Sequence, residues 1–107
     1  MATIREEIEE LMVDCYSEDE EMSAWDVAFT DGVEVPFRAS LLGIPVQVQG
    51  FRVNDANAVQ CQVVRESQEG KGTKPRWIGV EDLDEEGLPD DFRHVMTLFR
   101  AWVEGDY

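Results

Sequence analysis

Lysine is nearly absent from this chain. Lys71 and Lys74 stand beside seven arginines and a single histidine, His94, against 24 carboxylates, for a formal net charge of −15 over 107 residues. Such a field repels nucleic-acid backbones and anionic lipid, which argues against either as a partner. Cysteine is scarce as well. Cys15 and Cys61 lie far apart with no C-x-x-C spacing and read as two buried thiols in a reducing compartment rather than as a disulfide. No apolar run approaches the roughly 20 residues that a membrane helix needs. The charged opening MATIREEIEELM does not resemble a secretory signal. A cytoplasmic protein is expected. The chain also has no G-x-S-x-G, no P-loop and no Cys/His cluster, so the familiar nucleophile, phosphate-cradle and zinc chemistries have no motif here. His94 lies beside an apolar stripe and reads as structural, not as a catalytic base. No enzymatic activity is expected.

What is present is acid, and it comes in blocks. Residues 1–34 hold twelve carboxylates and one cation, Arg5; residues 35–79 hold three carboxylates and six cations; residues 80–107 hold nine carboxylates and two cations, Arg93 and Arg100. The block charges are −11, +3 and −7, which sum to −15. Self-repulsion of this kind destabilises a compact state unless something positive screens it. Hard divalent cations are the simplest screen, because they take oxygen ligands. Halophilic adaptation is the bland alternative, but it would spread carboxylates evenly rather than in blocks. The hydrophobic fraction of 43% is ordinary for a folded protein, and the length suits a single domain over residues 1–107.

Local patterns give the element order. Thr3 and Glu6 form a T-x-x-E capping box, and Ile4, Ile8, Leu11, Met12 and Cys15 recur at helical spacing, predicting a helix over about 3–16. Ser17 and Glu20 form a second box ahead of Met22, Trp25 and Phe29; this helix is predicted over about 18–31, with Gly32 as a left-handed cap. From Val33 to Val64 β-branched residues dominate. Val46 and Val48 alternate with Gln47 and Gln49, and Val59, Cys61 and Val63 with Gln60 and Gln62. Strands are predicted at about 35–42, 44–53 and 58–66, each with one wet face. QEGKGTKP, residues 68–75, reads as a polar, mobile hairpin loop before a short strand at 76–80. A last helix is predicted over about 89–104, opened by Pro89 and carrying Phe92, Val95, Met96, Phe99, Trp102 and Val103. Trp25, Phe29, Phe37, Phe99 and Trp102 are expected to be buried together. The fold class is α+β: two N-terminal helices, four to five antiparallel strands in a small twisted sheet or partly open barrel, and one C-terminal helix.

Two acidic segments are candidate cation sites. Asp82-x-Asp84-x-Glu86-Gly87 matches the first half of an EF-hand loop, with oxygens at alternate positions and glycine at the sharp turn. The match then fails, since Arg93 stands where a bidentate Glu should close the loop, and no helix precedes it. The second segment is the helix-to-strand corner Asp31-Gly32-Val33-Glu34, with Asp26 upstream. A carboxylate at a helix C-terminus is disfavoured by the dipole, yet unpaired carbonyls gather there and would complete a hard-cation ligand set. Turn chemistry alone also explains Asp31-Gly32, just as helix capping explains much of the acidic loop. Both segments adjoin ends of the sheet, close enough for Asp26, Asp31, Glu34, Asp82, Asp84 and Glu86 to share one ion.

WDVAFTDGVEVPF (25–37), VEDL (80–83) and LFRAWVEGDY (98–107) resemble the small acidic bacterial calcium-binding proteins of the CcbP type. The tryptophan-to-Pro-Phe and DL-to-WV spacings carry the resemblance, which spans nearly the whole chain. It implies a small SH3-like barrel flanked by helices, and calcium held by surface carboxylates without an EF-hand. It also implicates the acidic corner between second helix and first strand, matched here by Thr30 and Asp31. Calcium buffering or sensing is thus the leading expectation. The alternative is an acidic interaction protein, or a DNA mimic, that engages a basic protein partner.

Overall fold

The computed structural model describes residues 3–65 and 74–105; residues 68–73 of the polar hairpin loop lie outside the described residues. The chain is α+β. Helices α1 (Ile4–Leu11) and α2 (Glu18–Gly32) precede strands β1 (Phe37–Leu41), β2 (Ile44–Val53), β3 (Val59–Arg65) and β4 (Arg76–Gly79). A 3-10 turn, Val80–Asp82, then leads to α3 (Asp90–Glu104). The strands form an antiparallel meander in the order β1-β2-β3-β4. Among the described residues β1 and β4 remain at opposite edges, so this sheet is open where the resemblance implied an SH3-like barrel. No described helix is long and apolar enough to cross a membrane.

The N-cap half of both predicted capping boxes forms. Thr3 Oγ1 accepts from the Glu6 amide at 3.1 Å, and Ser17 Oγ accepts from the Glu20 amide at 3.2 Å. Glu20 reaches one residue further back than a capping box requires, and its Oε2 accepts from the Tyr16 amide at 2.7 Å. That grip helps to explain why α1 stops at Leu11 rather than running to residue 16. Asp14 takes a left-handed φ of 66°, and the chain must turn there to start α2. Cys15 is therefore off the helix, half-buried, while Cys61 is fully buried; both are free thiols.

The predicted left-handed cap at Gly32 is a correction. α2 ends at Gly32, but the chain leaves through Val33 in an extended conformation (φ −123°). A Cβ at Gly32 would meet Val95 Cγ2 at 3.5 Å, an ordinary contact, so neither backbone conformation nor space demands glycine there. The left-handed cap belongs to α3, at Gly105 (φ 70°), whose amide turns back to the Ala101 and Trp102 carbonyls.

The strand alternation is also corrected midway. Val46 and Val48 face the core as predicted, but the register slips between Val48 and Gly50, leaving Gln49 as an extra residue on β2. A one-residue bulge exchanges the two faces of everything beyond it. Phe51 and Val53 consequently point inward, opposite Cys61 and Val59. Phe51 thereby joins an aromatic cluster with Phe29, Phe37 and Phe92 at centroid distances of 5.2–6.4 Å. Trp25 continues it, meeting Phe99 edge-on at 5.2 Å and Trp102 at 5.6 Å. Trp25, Phe29, Phe37 and Phe99 are buried as expected; Trp102 is only partly so. The core thus lies between α2 and α3 on one side and the inward face of β1–β3 on the other.

Candidate functional site

The loop between the 3-10 turn and α3 is tied down by its own carboxylates. β1 and β2 join through Leu42 and Gly43, both at positive φ (51° and 78°), the signature of a tight type I′ hairpin. Such a turn points its two amides outward together. Asp84 takes both: its Oδ1 accepts from Leu42 N at 3.2 Å and its Oδ2 from Gly43 N at 2.9 Å. Its own amide donates to the Ser40 carbonyl at 2.8 Å. Glu81 and Glu85 face Arg100 of α3 at 3.8 and 3.3 Å. Gly87 takes φ +76°, the sharp turn that the EF-hand-like spacing anticipated. Asp82 lies against Gly79, its Oδ2 3.2 Å from where a Cβ would stand. Asp82 and Glu86 make no side-chain hydrogen bond or ion pair to another described residue.

The α2–β1 corner is built differently. Here the backbone is anchored and the side chains are not. Glu34 N donates to Asp91 Oδ2 at 2.9 Å, while Asp91 Oδ1 lies 2.7 Å from the Phe92 amide at the start of α3. One carboxylate thus fastens the corner to the N-terminus of α3, where the helix dipole favours negative charge. Asp90 lies beside it in the first turn. Asp26 accepts from the Thr30 hydroxyl at 3.4 Å, one turn along α2. The carboxylates of Asp31 and Glu34 are exposed and without a partner among the described residues.

The six candidate residues therefore fall into two groups. Asp26 on α2 and Asp31 and Glu34 at the corner, which Asp91 fastens, form one; Asp82, Asp84 and Glu86 in the loop form the other. No three His, Cys, Asp or Glu side chains among the described residues converge closely enough to hold a metal ion in this conformation. Asp91 was missed by sequence reasoning. Its only signal was its place in the first turn of the last helix, where a carboxylate is expected on capping grounds alone. His94 is exposed, and its Nε2 lies 2.9 Å from Glu7 Oε1, a contact between α3 and α1. The Cys61 thiol is pushed up from an ordinary 9.0 to about 12, by burial first and by the Asp82 charge second.

No family model and no curated protein sequence matches the chain. Solved structures do. One, a calcium binding protein in the calcium-binding form, superposes with a TM-score of 0.71 at 21% identity, covering 100% of this chain and 98% of that one. Another, CcbP of Anabaena, superposes with a TM-score of 0.69 at 17% identity, covering 92% of this chain and 89% of that one. The resemblance read from the sequence holds at the level of the fold, from end to end.

Proposed function

We propose that this protein binds calcium reversibly through carboxylates of its acidic surface, as a buffer or sensor, without an EF-hand. The observation that carries the reading is the fold shared along the whole chain with a protein solved in a calcium-binding form. The charge of −15 supports it, because a bound cation relieves self-repulsion. The site we propose draws on Asp26, Asp31 and Glu34 at the corner and on Asp82, Asp84 and Glu86 in the loop. Asp31 and Glu34 are the principal ligands in this reading, since no described residue engages their carboxylates on a corner whose backbone is fastened by Asp91. Asp84 acts through its hold on the β1–β2 turn, and Asp82 and Glu86 offer a second, weaker locus. Calcium tolerates six to eight irregular oxygens, water included, whereas magnesium demands near-octahedral geometry. Carboxylates that must swing together from a surface suit the former. The same likeness of fold favours an SH3-like curl of the sheet, to which the bulge at Gln49 contributes. The two free thiols suit a cytoplasmic setting.

Calorimetric titration with calcium, and with magnesium as the control, tests this reading. Saturable calcium binding at low millimolar concentration or tighter, with magnesium much weaker, is the expected result. Equal weak heats for both ions would reduce the acidity to solvation.

One surface favours the second reading, an acidic partner for a basic protein. Val13, Tyr16 and Val27 are 63%, 86% and 57% exposed at the α1–α2 corner, beside Asp14, Asp19 and Glu20. Apolar groups ringed by acid suit a basic amphipathic segment. Binding of a basic protein that Tyr16→Ser abolishes, with or without calcium, would establish that role.

A further inference from the structure

The cations of this chain are few, and three of them gather around one cavity without an ion pair to any described residue. Arg65, Lys74 and Arg76 line a cavity of about 560 Å³ at the hairpin end of the sheet, with Leu41, Leu42, Ile44, Val46, Val63 and Ile78. The register explains the arrangement. Arg65 lies opposite Val46, and Arg76 opposite Val63, and both valines are buried on the core face. By the two-residue period of a strand, these arginines extend the inward face beyond the part that the helices cover. All three cations are exposed, and none has an ion pair or side-chain hydrogen bond to another described residue. With 24 carboxylates for nine cations, that lack of partners is notable. Like charges gathered on one sheet face repel.

The aliphatic floor has a second peculiarity. Leu42 is 87% exposed and holds a left-handed φ of 51°, a conformation that leucine disfavours and that asparagine or glycine adopts readily. Asp84, by accepting from both turn amides, holds the turn in place. The fold therefore keeps an aliphatic side chain at the rim of this cavity despite local strain. The cavity has the volume of a small-molecule site and the usual composition of one, mostly apolar with a few charged groups at one side. At physiological salt, charges beyond about 8 Å are largely screened, so the potential there is set by local groups, three cations against the Asp84 carboxylate already held by the turn amides, rather than by the net charge. We infer that this cavity binds a small anionic amphiphile, its aliphatic tail against Leu41, Leu42, Ile44 and Ile78 and its carboxylate or phosphate head on Arg65, Lys74 and Arg76. Charge complementarity selects that occupant over a neutral or cationic one. The inference does not depend on calcium binding.

The test is a titration of the intact protein with decanoate below its micelle concentration, in chelator so that calcium is absent, followed by amide shifts in nitrogen-15 spectra. Saturable shifts are expected on residues 41–46, 63–65 and 76–78. Arg65→Gln with Arg76→Gln should weaken decanoate about tenfold or more with little change in melting temperature. Leu42→Asn should be at least as stable as the wild type, since asparagine tolerates the turn, yet bind decanoate several-fold more weakly. A decyl glucoside, with the same tail and a neutral head, should bind far less. Equal binding of the glucoside, or shifts scattered away from these residues, would overturn the inference. So would a site that ignores decanoate and answers only to an acidic helical peptide, which would make it a protein-docking surface.

Discussion

The loop 82–87 and the corner 31–34 are alike in acid content and opposite in construction. In the loop Asp84 holds the Leu42 and Gly43 amides, and its neighbours Glu81 and Glu85 face Arg100, while Asp82 and Glu86 have no such partner among the described residues. At the corner the backbone is engaged, through Glu34 N on Asp91, and the carboxylates of Asp31 and Glu34 have no partner among the described residues. A carboxylate that satisfies amides stabilises structure and has fewer lone pairs left for an ion. A free carboxylate on a fastened backbone contributes little to stability, and on binding it loses side-chain but little backbone entropy. Within the motif-like segment Asp84 is thus a structural carboxylate, a role that neither Asp31 nor Glu34 has at the plainer corner.

The comparison can be broken most severely at what both regions share. Phe92, at the start of α3, is fully buried between Phe29, Phe37 and Phe51. Phe92→Ala should cost roughly 3–5 kcal/mol in urea unfolding. A loss below about 1 kcal/mol would mean that the start of α3 is not the frame holding loop and corner. The next effect separates the two. Asp84→Ala removes the acceptor for two amides of a tight turn and should cost roughly 1–3 kcal/mol, whereas Asp31→Ala should stay within about 0.5 kcal/mol. Similar losses at both positions would erase the distinction.

Ligand binding should reverse that order. Asp31→Asn with Glu34→Gln should weaken calcium about tenfold, or roughly 1.4 kcal/mol, measured by calorimetry. Asp84→Asn should change affinity less, and Glu6→Gln with Glu10→Gln on α1 should leave it close to wild type. If all three variants bind equally, diffuse charge holds the ion and no discrete site exists. Calcium should also raise the melting temperature more than sodium chloride of equal ionic strength, because a ligand specific to the native state adds to its stability.

The smallest expected effect is alkaline. The Cys61 thiol is held up near 12, above its ordinary 9.0. The folded state therefore favours the protonated thiol. That contribution is fully present below pH 9 and is lost as pH rises from 9 toward 12. Asp82→Asn should lower the Cys61 pKa slightly, seen as faster alkylation at pH 10. An unchanged rate would show that burial alone sets it.

Much of this fold is legible in order and type because its signals are local. Thr3 and Ser17 announce their helices within four residues, and the α3 stripe repeats over four turns. The bulge at Gln49 is not legible, since nothing in VQVQGF favours one register until Cys61 and Val59 are opposite it. The short α1 escapes too, because a capping residue twenty positions from the N-terminus terminates it by reaching backward to Tyr16. The candidate residues could be found by acid content, but not sorted. What separates Asp84 from Asp31 is a partner 41 or 42 residues away in sequence, and local spacing carries no record of it.

The position of α3 also bears on how the protein is made. It is the last element in chain order, and its Phe92, Val95, Met96 and Phe99 complete the core against α2 and the sheet. During synthesis α2 emerges with Trp25 and Phe29 long before that cover exists. The core cannot close until α3 has left the ribosome. A nascent chain with uncovered aromatics is prone to aggregate, and the N-terminal block of twelve carboxylates against one cation lies on the very helices that wait. Like charge on neighbouring nascent chains opposes their association while those helices stand uncovered.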